Sequence, residues 1–278
     1  MIKETGSATA VGAATLRAAH QLIDGDEKLL NDPVILKLLG TELQEHILQN
    51  RSRFFEPGTM AMRTHIVLRS KYAEDCLKQA YDNGVRQFVI LGAGLDTFAY
   101  RQPAWAHDLK IIEADHAASQ ADKLQRLKQA GIPIPSNLTF VKVDLETDNL
   151  SAILGESAID TNEPVFMACL GVLIYLNKKA VDNIFRFAGS LHAKSEFVFT
   201  VSQKSEDNDL SLTAERAAMA GEPWITYFSQ PDLIKQLNDD GFNQVSFLTP
   251  DEAIQLYFSN IKLQIPPPRR TSIVRTTI

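Results

Sequence analysis

A strand that runs directly into a two-glycine turn is the feature that most constrains the fold of this chain. Residues 88–91 form a continuous apolar run, which is typical of a parallel strand covered by helices on both faces. Gly92 and Gly94 follow, and glycine lets the backbone turn sharply and approach a ligand closely. This combination predicts a nucleotide-like ligand at the end of a buried strand.

The spacing of these glycines narrows the ligand class. A dinucleotide fingerprint, GxGxxG, needs a third glycine three residues after Gly94, where this chain has Thr97, and no GKS or GKT follows to form a phosphate loop. We therefore expect a cofactor without a pyrophosphate. S-adenosylmethionine (SAM), an adenosine that carries an amino acid, meets this condition, whereas an NAD-type oxidoreductase is disfavoured.

Strand and helix patterns alternate after the glycine turn, which predicts right-handed crossovers and a doubly wound, mostly parallel seven-stranded α/β sheet. After the first strand, we predict strands at 109–114, 138–143, 165–170, 196–201, 245–248 and 272–277. We predict helices at 7–23, from 32 onward, and at about 60–83, 117–130, 147–154, 178–192 and 232–239. Ligands bind such sheets outside the carboxyl ends of the strands.

Two stretches fall outside this alternation and are predicted to cap the cofactor. The helices before residue 84 and an insertion at about 203–229 have no strand of their own to cover. We therefore divide the chain into a helical cap, 1–83, and a cofactor-binding core, 84–278, that carries the insertion. Such a lid excludes water and contacts substrate.

Composition limits the partners and the compartment. The formal net charge is -6 and acidic and basic residues are interleaved, which disfavours nucleic acid. The sequence has no apolar run near the roughly 20 residues of a membrane span and no secretory signal pattern, so a cytoplasmic protein is expected. Cys76 and Cys169 are predicted to be buried thiols, and no metal-ligand spacing is present, so no metal is expected.

The second strand ends in Glu113, Ala114 and Asp115, where a carboxylate can accept hydrogen bonds from both ribose hydroxyls. The alternative is that Asp115 caps the helix at 117–130. The preceding glycine turn favours the ribose role. Glu113 and Asp115 share one strand face, so one is expected to bind ribose and the other to support it.

The third and fourth strands also end in candidate ligands. Asp144 can accept from the adenine amine while Leu145 packs against the ring, although aspartate is also common in surface turns. Leu170 and Gly171 end the fourth strand, and Gly171 permits close backbone approach. Tyr175 is a weak candidate for the acceptor pocket, since a tyrosine in an apolar run is more often core.

An arginine is the natural partner for the carboxylate of the methionine moiety. Arg17, Arg63 and Arg101 are the candidates, but a lone helix arginine is usually solvated, so the residue types alone do not choose among them. A hydroxyl acceptor would need a general base. His65, His116 and Tyr175 are the nominees, and none is assigned, because His65 is turned away from the face of Arg63 and a packing role is favoured.

The chain resembles the leucine carboxyl methyltransferase superfamily, specifically its bacterial branch of SAM-dependent O-methyltransferases associated with polyketide biosynthesis. The resemblance spans roughly residues 8–243 and is most specific in the glycine-turn segment. It is carried by TAVGAATLRAAHQ, LLNDPVI, MRTHIV, RQFVILGAGLDTFAYR, IIEADHAASQADKLQRL, FVKVDLETD, CLGVLIYL, GEPWITYF and LNDDGF. It implies a Rossmann-like class I SAM-dependent methyltransferase that transfers a methyl group to a small-molecule carboxylate or hydroxyl.

The resemblance also implies site residues at matching positions. Arg63 aligns with the arginine that holds the SAM carboxylate, and Arg17 with a second basic contact. The other implied cofactor contacts are Gly92, Ala93, Gly94, Asp115, Asp144 and Leu145.

One position departs from the family pattern. The family usually reads EGV at the end of the fourth strand, whereas this chain has Leu170 in place of the glutamate that faces the cofactor or acceptor site. Leucine cannot accept a hydrogen bond from the SAM ammonium or ribose, so cofactor affinity or acceptor choice is expected to differ. A SAM-binding protein without transfer activity is therefore the alternative function. The sequence carries no signal for the acceptor or for the oligomeric state.

Overall fold

The computed structural model describes residues 7–156, 158–203, 215, 218–219 and 221–278. The described residues form a seven-stranded sheet in the order β3-β2-β1-β4-β5-β7-β6. Its strands are β1 Gln87–Leu91, β2 Lys110–Asp115, β3 Leu138–Lys142, β4 Val165–Cys169, β5 Glu196–Thr200, β6 Gln244–Phe247 and β7 Ile273–Thr277. Strands β1 to β5 are parallel, and β7 runs antiparallel to both β5 and β6.

Helices flank the sheet and connect its strands. They are α1 Ala8–Ile23, α2 Pro33–Gln49, α3 Arg51–Phe54, α4 Pro57–Asp82, α5 Ala117–Gln129, α6 Lys178–Gly189, α7 Gln230–Asp239 and α8 Pro250–Tyr257. The start of α2 follows from local chemistry. Asp32 caps the helix by accepting a hydrogen bond from the Ile35 N–H, and Pro33 occupies the first turn. No described helix is both long and apolar enough to cross a membrane.

Alternate residues of the strands pack into separate cores on the two faces of the sheet. In β1, Val89 and Leu91 join the core that contains Phe185 of α6. Phe88 and Ile90 join the core on the opposite face, which contains Leu77 of α4. Both faces of β1 are thus covered by helices, which explains its continuous apolar sequence and confirms the doubly wound architecture.

Most predicted elements are observed, with two differences. The predicted helix at 147–154 is instead a turn followed by a short π-helix, Ser151–Gly155. Helix α8 was missed, although Thr249 and Glu252 form a capping box at its start and provide a local signal for it. Cys76 and Cys169 are buried free thiols, as predicted.

Helix α4 corrects the expectation that the helices before residue 84 have no strand to cover. Its apolar side packs on the sheet next to β4 and β5 and forms part of the core on that face. Helices α1 and α2 instead pack mainly against each other, in a separate cluster that includes Leu95 of the glycine turn. The division into a cap of 1–83 and a core of 84–278 remains a prediction.

Only part of the predicted cap insertion lies within the described residues. Residues 204–214, 216–217 and 220 are outside them. Residues 221–228 are attached to the loop after β4 by hydrogen bonds from the Ile225 N–H to the Ile174 carbonyl and from the Thr226 hydroxyl to the Leu176 carbonyl, at 2.9 and 2.5 Å. This segment therefore lies beside the carboxyl edge of the sheet.

Candidate functional site

A cavity of about 1800 Å³ lies at the carboxyl edge of the parallel strands, where the strand order reverses between β1 and β4. Residues of α1 and α4, the glycine turn, the loops after β2 to β5 and the segment at 221–224 line it. Pockets for one small ligand occupy roughly 300–1,000 Å³. This cavity therefore has room for a cofactor and a second molecule.

The glycine turn forms the part of the cavity floor that follows β1. Gly92 and Gly94 have φ values of +63° and +47°, in the left-handed region that favours glycine. A Cβ atom on Gly92 would lie only 2.4 Å from Cγ2 of Val172. Both backbone conformation and close contact therefore require glycine at residue 92.

We expect a Gly92→Ala substitution to lower the free energy of unfolding by about 1–3 kcal/mol, because alanine is strained at positive φ and would overlap Val172. Urea unfolding measures this change. Gly12→Ala is the control, since Gly12 lies within α1 with no neighbouring atom within 4 Å of an added Cβ, and it should slightly stabilise the protein. Equal stability of the Gly92 variant and the wild type would contradict the strained turn.

Asp115 connects the end of β2 to the glycine turn. Its carboxylate oxygens accept hydrogen bonds from the N–H groups of Gly94 and His116, at 2.5 and 2.7 Å. Burial raises the pKa of Asp115, and the two N–H donors oppose that rise. The N-cap of α5 is His116, so the alternative in which Asp115 caps this helix is not observed. Asp115 lines the cavity, and its contact with ribose remains a prediction.

Glu113 lies one strand repeat behind Asp115 and does not line the cavity. It is buried, and its Oε2 accepts from the Lys123 ammonium of α5 at 2.6 Å. Burial raises the pKa of Glu113 to about 7 against the opposing effect of Lys123. Of the two carboxylates at the end of β2, Asp115 is therefore the one available to a ligand.

Asp144 and Leu145 reach the cavity wall after β3. Asp144 also forms a turn, because its Oδ1 accepts from the Glu146 N–H at 3.0 Å while its own N–H donates to Asp148 at 2.8 Å. Asp144 thus forms the turn that was the alternative to adenine contact, and it also lines the cavity. Contact of Asp144 and Leu145 with adenine remains a prediction.

The loop after β4 brings Leu170, Gly171 and Tyr175 to the same cavity. Leu170 packs against the core on the α4 side of the sheet. Gly171 has a φ of +75°, and its N–H donates to the Thr200 hydroxyl at 2.7 Å. Tyr175 belongs to a short 3₁₀ turn, Leu173–Tyr175, at the cavity wall, so it remains a candidate for acceptor contact.

Arg63 is not among the residues that line the cavity, so its contact with the SAM carboxylate is not observed and remains a prediction. Arg63 is fully buried, and its Nε and Nη2 donate to the two carboxylate oxygens of Asp24, both at 2.8 Å. Its Nη1 donates to the Phe54 carbonyl at 2.6 Å. The protein itself thus engages all three guanidinium nitrogens in this buried position, away from the cavity residues.

Arg17 does line the cavity, next to the glycine turn. Its Nη2 donates to the Leu95 carbonyl at 2.5 Å, and its Nε lies 3.4 Å from Asp32 Oδ2. Asp32 also accepts from the hydroxyl of Thr97, at 2.7 Å. Thr97, which excludes the dinucleotide fingerprint, therefore fastens the turn to α2. Arg101 is paired with Glu74 and is not among the cavity residues.

Arg69 of α4 is a cavity residue that the sequence interpretation missed. It forms no ion pair or hydrogen bond with any residue in the described part of the chain. Met62, His65 and Arg69 follow one another at helical spacing and line the cavity, but this spacing does not separate Arg69 from Arg63, because Ser70, seven residues after Arg63, lines the cavity too. Only the packing of α4 shows that this face meets the cavity.

The two histidines nominated as bases also line the cavity. Burial, with a smaller contribution from Arg69, lowers the pKa of His65 to about 3, so His65 is neutral at pH 7. His65 is indeed turned away from Arg63, as predicted, but it is His65 that faces the cavity. Among the described residues there is no group of three or more His, Cys, Asp or Glu side chains suited to a metal.

The fold and the cavity together define a class of protein: a Rossmann-like α/β sheet of the class I methyltransferase type. Two crystal structures share this fold over nearly the whole chain. A DUF574 family protein from Streptomyces avermitilis is 13% identical, with a TM-score of 0.59 and coverage of 98% of this chain and 96% of that one. A proposed methyltransferase from Thermobifida fusca is 17% identical, with a TM-score of 0.58 and coverage of 99% and 96%.

The chain belongs to the leucine carboxyl methyltransferase family, whose model matches residues 10–189. It is 34% identical over 204 residues to YktD of Bacillus subtilis, which is named as a proposed SAM-dependent methyltransferase. A protein of Mycobacterium avium with the same proposed activity is 30% identical over 187 residues. The matches cover 70% and 64% of this chain and 66% and 61% of those relatives. Membership of the polyketide-type branch remains a prediction.

Proposed function

We propose that this protein is a SAM-dependent O-methyltransferase that acts on a small-molecule carboxylate or hydroxyl group. The observation that carries the proposal is a single cavity that extends from Asp115 and Asp144 past the glycine turn to Leu170 and Tyr175. Its volume of about 1800 Å³ exceeds what one small ligand needs. The names of the relatives support SAM as the cofactor.

The cavity residues suit an adenosine that carries an amino acid. The backbone of Gly92, Ala93 and Gly94 permits close approach, and Asp115 offers a carboxylate to the ribose hydroxyls. We assign Asp144 and Leu145 to the adenine, and Leu170 and Arg17 to the surroundings of the amino-acid part. When bound, SAM supplies an electrophilic methyl group on a sulfonium ion.

The residues around the acceptor side contribute mainly by positioning the acceptor and excluding water. The segment at 221–224 is fastened over α1, where Glu222 accepts from the Thr9 N–H at 2.9 Å and from the Ser7 hydroxyl at 3.1 Å. A general base works best with a pKa near the operating pH, so His65, with its pKa lowered to about 3, is a poor one. These residues favour an acceptor that is already ionised at pH 7, namely a carboxylate.

The test is transfer of labelled methyl from SAM to a panel of carboxylic acids and phenols. We expect the wild type to methylate at least one acid, and Asp115→Asn to raise the KM for SAM about 10- to 100-fold by weakening hydrogen bonds to ribose. Asp122→Asn is the matched control, because Asp122 pairs with Arg126 on α5 and is not among the residues that line the cavity. Binding of NADH but not of S-adenosylhomocysteine (SAH) would overturn the proposal.

Leu170 is the reason for a second candidate function, that of a SAM-binding protein without transfer activity. A leucine at the cavity wall offers no hydrogen-bond acceptor to a ligand. This alternative would be favoured if the wild type bound SAH without methylating any member of the panel while Leu170→Glu gained turnover.

A further inference from the structure

Arg69 lines the cavity from α4 and forms no ion pair with a described residue, and it is less exposed than Arg270, the other cavity arginine without such a pair. Arg17 lies against Asp32, and Arg101 is paired with Glu74. Arg63 is paired with Asp24 and is not among the residues that line the cavity. The guanidinium of Arg69 forms no such ion pair in the described part of the chain, and it reaches the cavity wall.

The surroundings of Arg69 leave space for its guanidinium but supply no carboxylate in ion-pair contact with it. A Cβ atom on Gly171 would lie 2.5 Å from the Arg69 Nη1, so only glycine at the end of β4 allows the guanidinium to occupy this position. Asp96 is close enough to raise the pKa of Arg69, but its Oδ1 accepts from the Phe98 N–H. The absence of a side chain at Gly171 thus makes room for the Arg69 guanidinium at the cavity wall.

An isolated guanidinium in this position is costly. Burial lowers the pKa of Arg69 to about 10, and nearby Arg17 adds repulsion. A charge removed from water without a partner destabilises the folded state, and an anion that arrives from outside relieves that cost. The planar fork of arginine matches the two oxygens of a carboxylate.

We propose that Arg69 binds the carboxylate group of a ligand in this cavity. The inference rests on the proposed function and adds to it a specific cationic contact. Two ligands can supply the carboxylate: the amino-acid part of SAM, or a carboxylic acid acceptor. Arg69 lies beside Gly171 and near Tyr175, where the cofactor and acceptor regions of the cavity meet.

Calorimetric binding distinguishes the two sources. The probes are SAH and its decarboxylated analogue, titrated into the wild type and Arg69→Met, and then benzoate and hexanoate, titrated into the SAH complexes. If Arg69 holds the cofactor, Arg69→Met weakens SAH binding about 10- to 100-fold and leaves the decarboxylated analogue unchanged. If it holds the acceptor, SAH binding is unchanged and binding of the two acids is lost. Arg69→Lys should restore part of the affinity in either case.

Leu170 provides an independent variant on the same side of the sheet. Leu170 precedes Gly171 and packs on the α4 side of the sheet, so a carboxylate in Leu170→Glu should compete with the carboxylate of a ligand for Arg69 and weaken binding of that ligand, but not of the decarboxylated analogue. Leu170→Gln, of similar size but uncharged, is the matched control and should retain more affinity. Thermal unfolding midpoints close to that of the wild type will show that these variants are folded.

The outcomes separate this inference from the proposed function. A wild type that binds no SAH contradicts the proposed function and the inference with it. A wild type that binds SAH, with SAH, benzoate and hexanoate all insensitive to Arg69→Met, overturns the inference alone.

Discussion

An Arg63→Met variant should lose about 3–5 kcal/mol of unfolding free energy, because it leaves the buried carboxylate of Asp24 without its partner. Arg63 and Asp24 are each fully buried, and two hydrogen bonds of 2.8 Å join them. His20 also contacts Asp24, at 2.9 Å, so the carboxylate links α1 to α4. Urea unfolding monitored by circular dichroism measures the loss.

Arg69→Met is the matched control, since it is the same substitution on the same helix. Arg69 forms no ion pair with the described residues and its unpaired charge is costly, so its replacement should leave the free energy of unfolding unchanged or raise it by up to about 1 kcal/mol. Combining Arg63→Met with Asp24→Asn removes the stranded charge and should recover part of the stability. If Arg63→Met instead melted like the wild type and selectively lost SAH affinity, Arg63 would have the ligand role that the family resemblance implies.

A Lys123→Met variant should lose about 3–5 kcal/mol of unfolding free energy at pH 8, because it leaves Glu113 buried and unpaired. Lys123 and Glu113 lie 2.6 Å apart and are almost completely shielded from solvent. The loss should be smaller at pH 5, since protonated Glu113 carries no charge to strand. Urea unfolding at the two pH values measures the difference.

The sign of this pH dependence follows from the direction of the Glu113 shift. Burial raises the pKa of Glu113 from 4.5 to about 7, so the folded protein holds a proton that the unfolded chain has released between those values. The contribution of Glu113 to stability therefore falls as the pH rises from about 4.5 to about 7. Lys123 opposes the shift, and its removal extends the fall to higher pH.

Two further variants test this explanation. Lys128→Met changes an exposed lysine on the same helix and should cost no more than about 0.5 kcal/mol at either pH. Combining Lys123→Met with Glu113→Leu removes both buried charges and should recover most of the stability. A Lys123→Met loss of equal size at pH 5 and pH 8 would show that packing of the lysine stem, rather than the ion pair, dominates.

Local sequence patterns predicted the sheet well because each strand of its centre carries its own signal. The continuous apolar run of β1 and the glycines after it require no information from distant residues. The missed α8 and the π-helix at Ser151–Gly155 are short elements. In such segments, contacts with the rest of the fold outweigh the weak preference of a few residues.

The candidate site was predictable where it follows a strand and unpredictable where it lies on a helix. Parallel strands end at one edge, so Asp115, Asp144 and Leu170 were expected near the glycine turn, and all three line one cavity with it. The resemblance selected Arg63 from α4, yet the structure buries Arg63 against Asp24 and presents Arg69 to the cavity.

The sequence by itself determined where the strands lie along the chain, the glycine turn and the absence of a dinucleotide fingerprint at Thr97, because these depend on residues adjacent in the chain. Only the tertiary structure decided which arginine of α4 faces the ligand cavity. Helical periodicity determines which residues share a face of α4, but the direction of that face depends on how α4 packs between the sheet and α1, whose residues are distant in sequence.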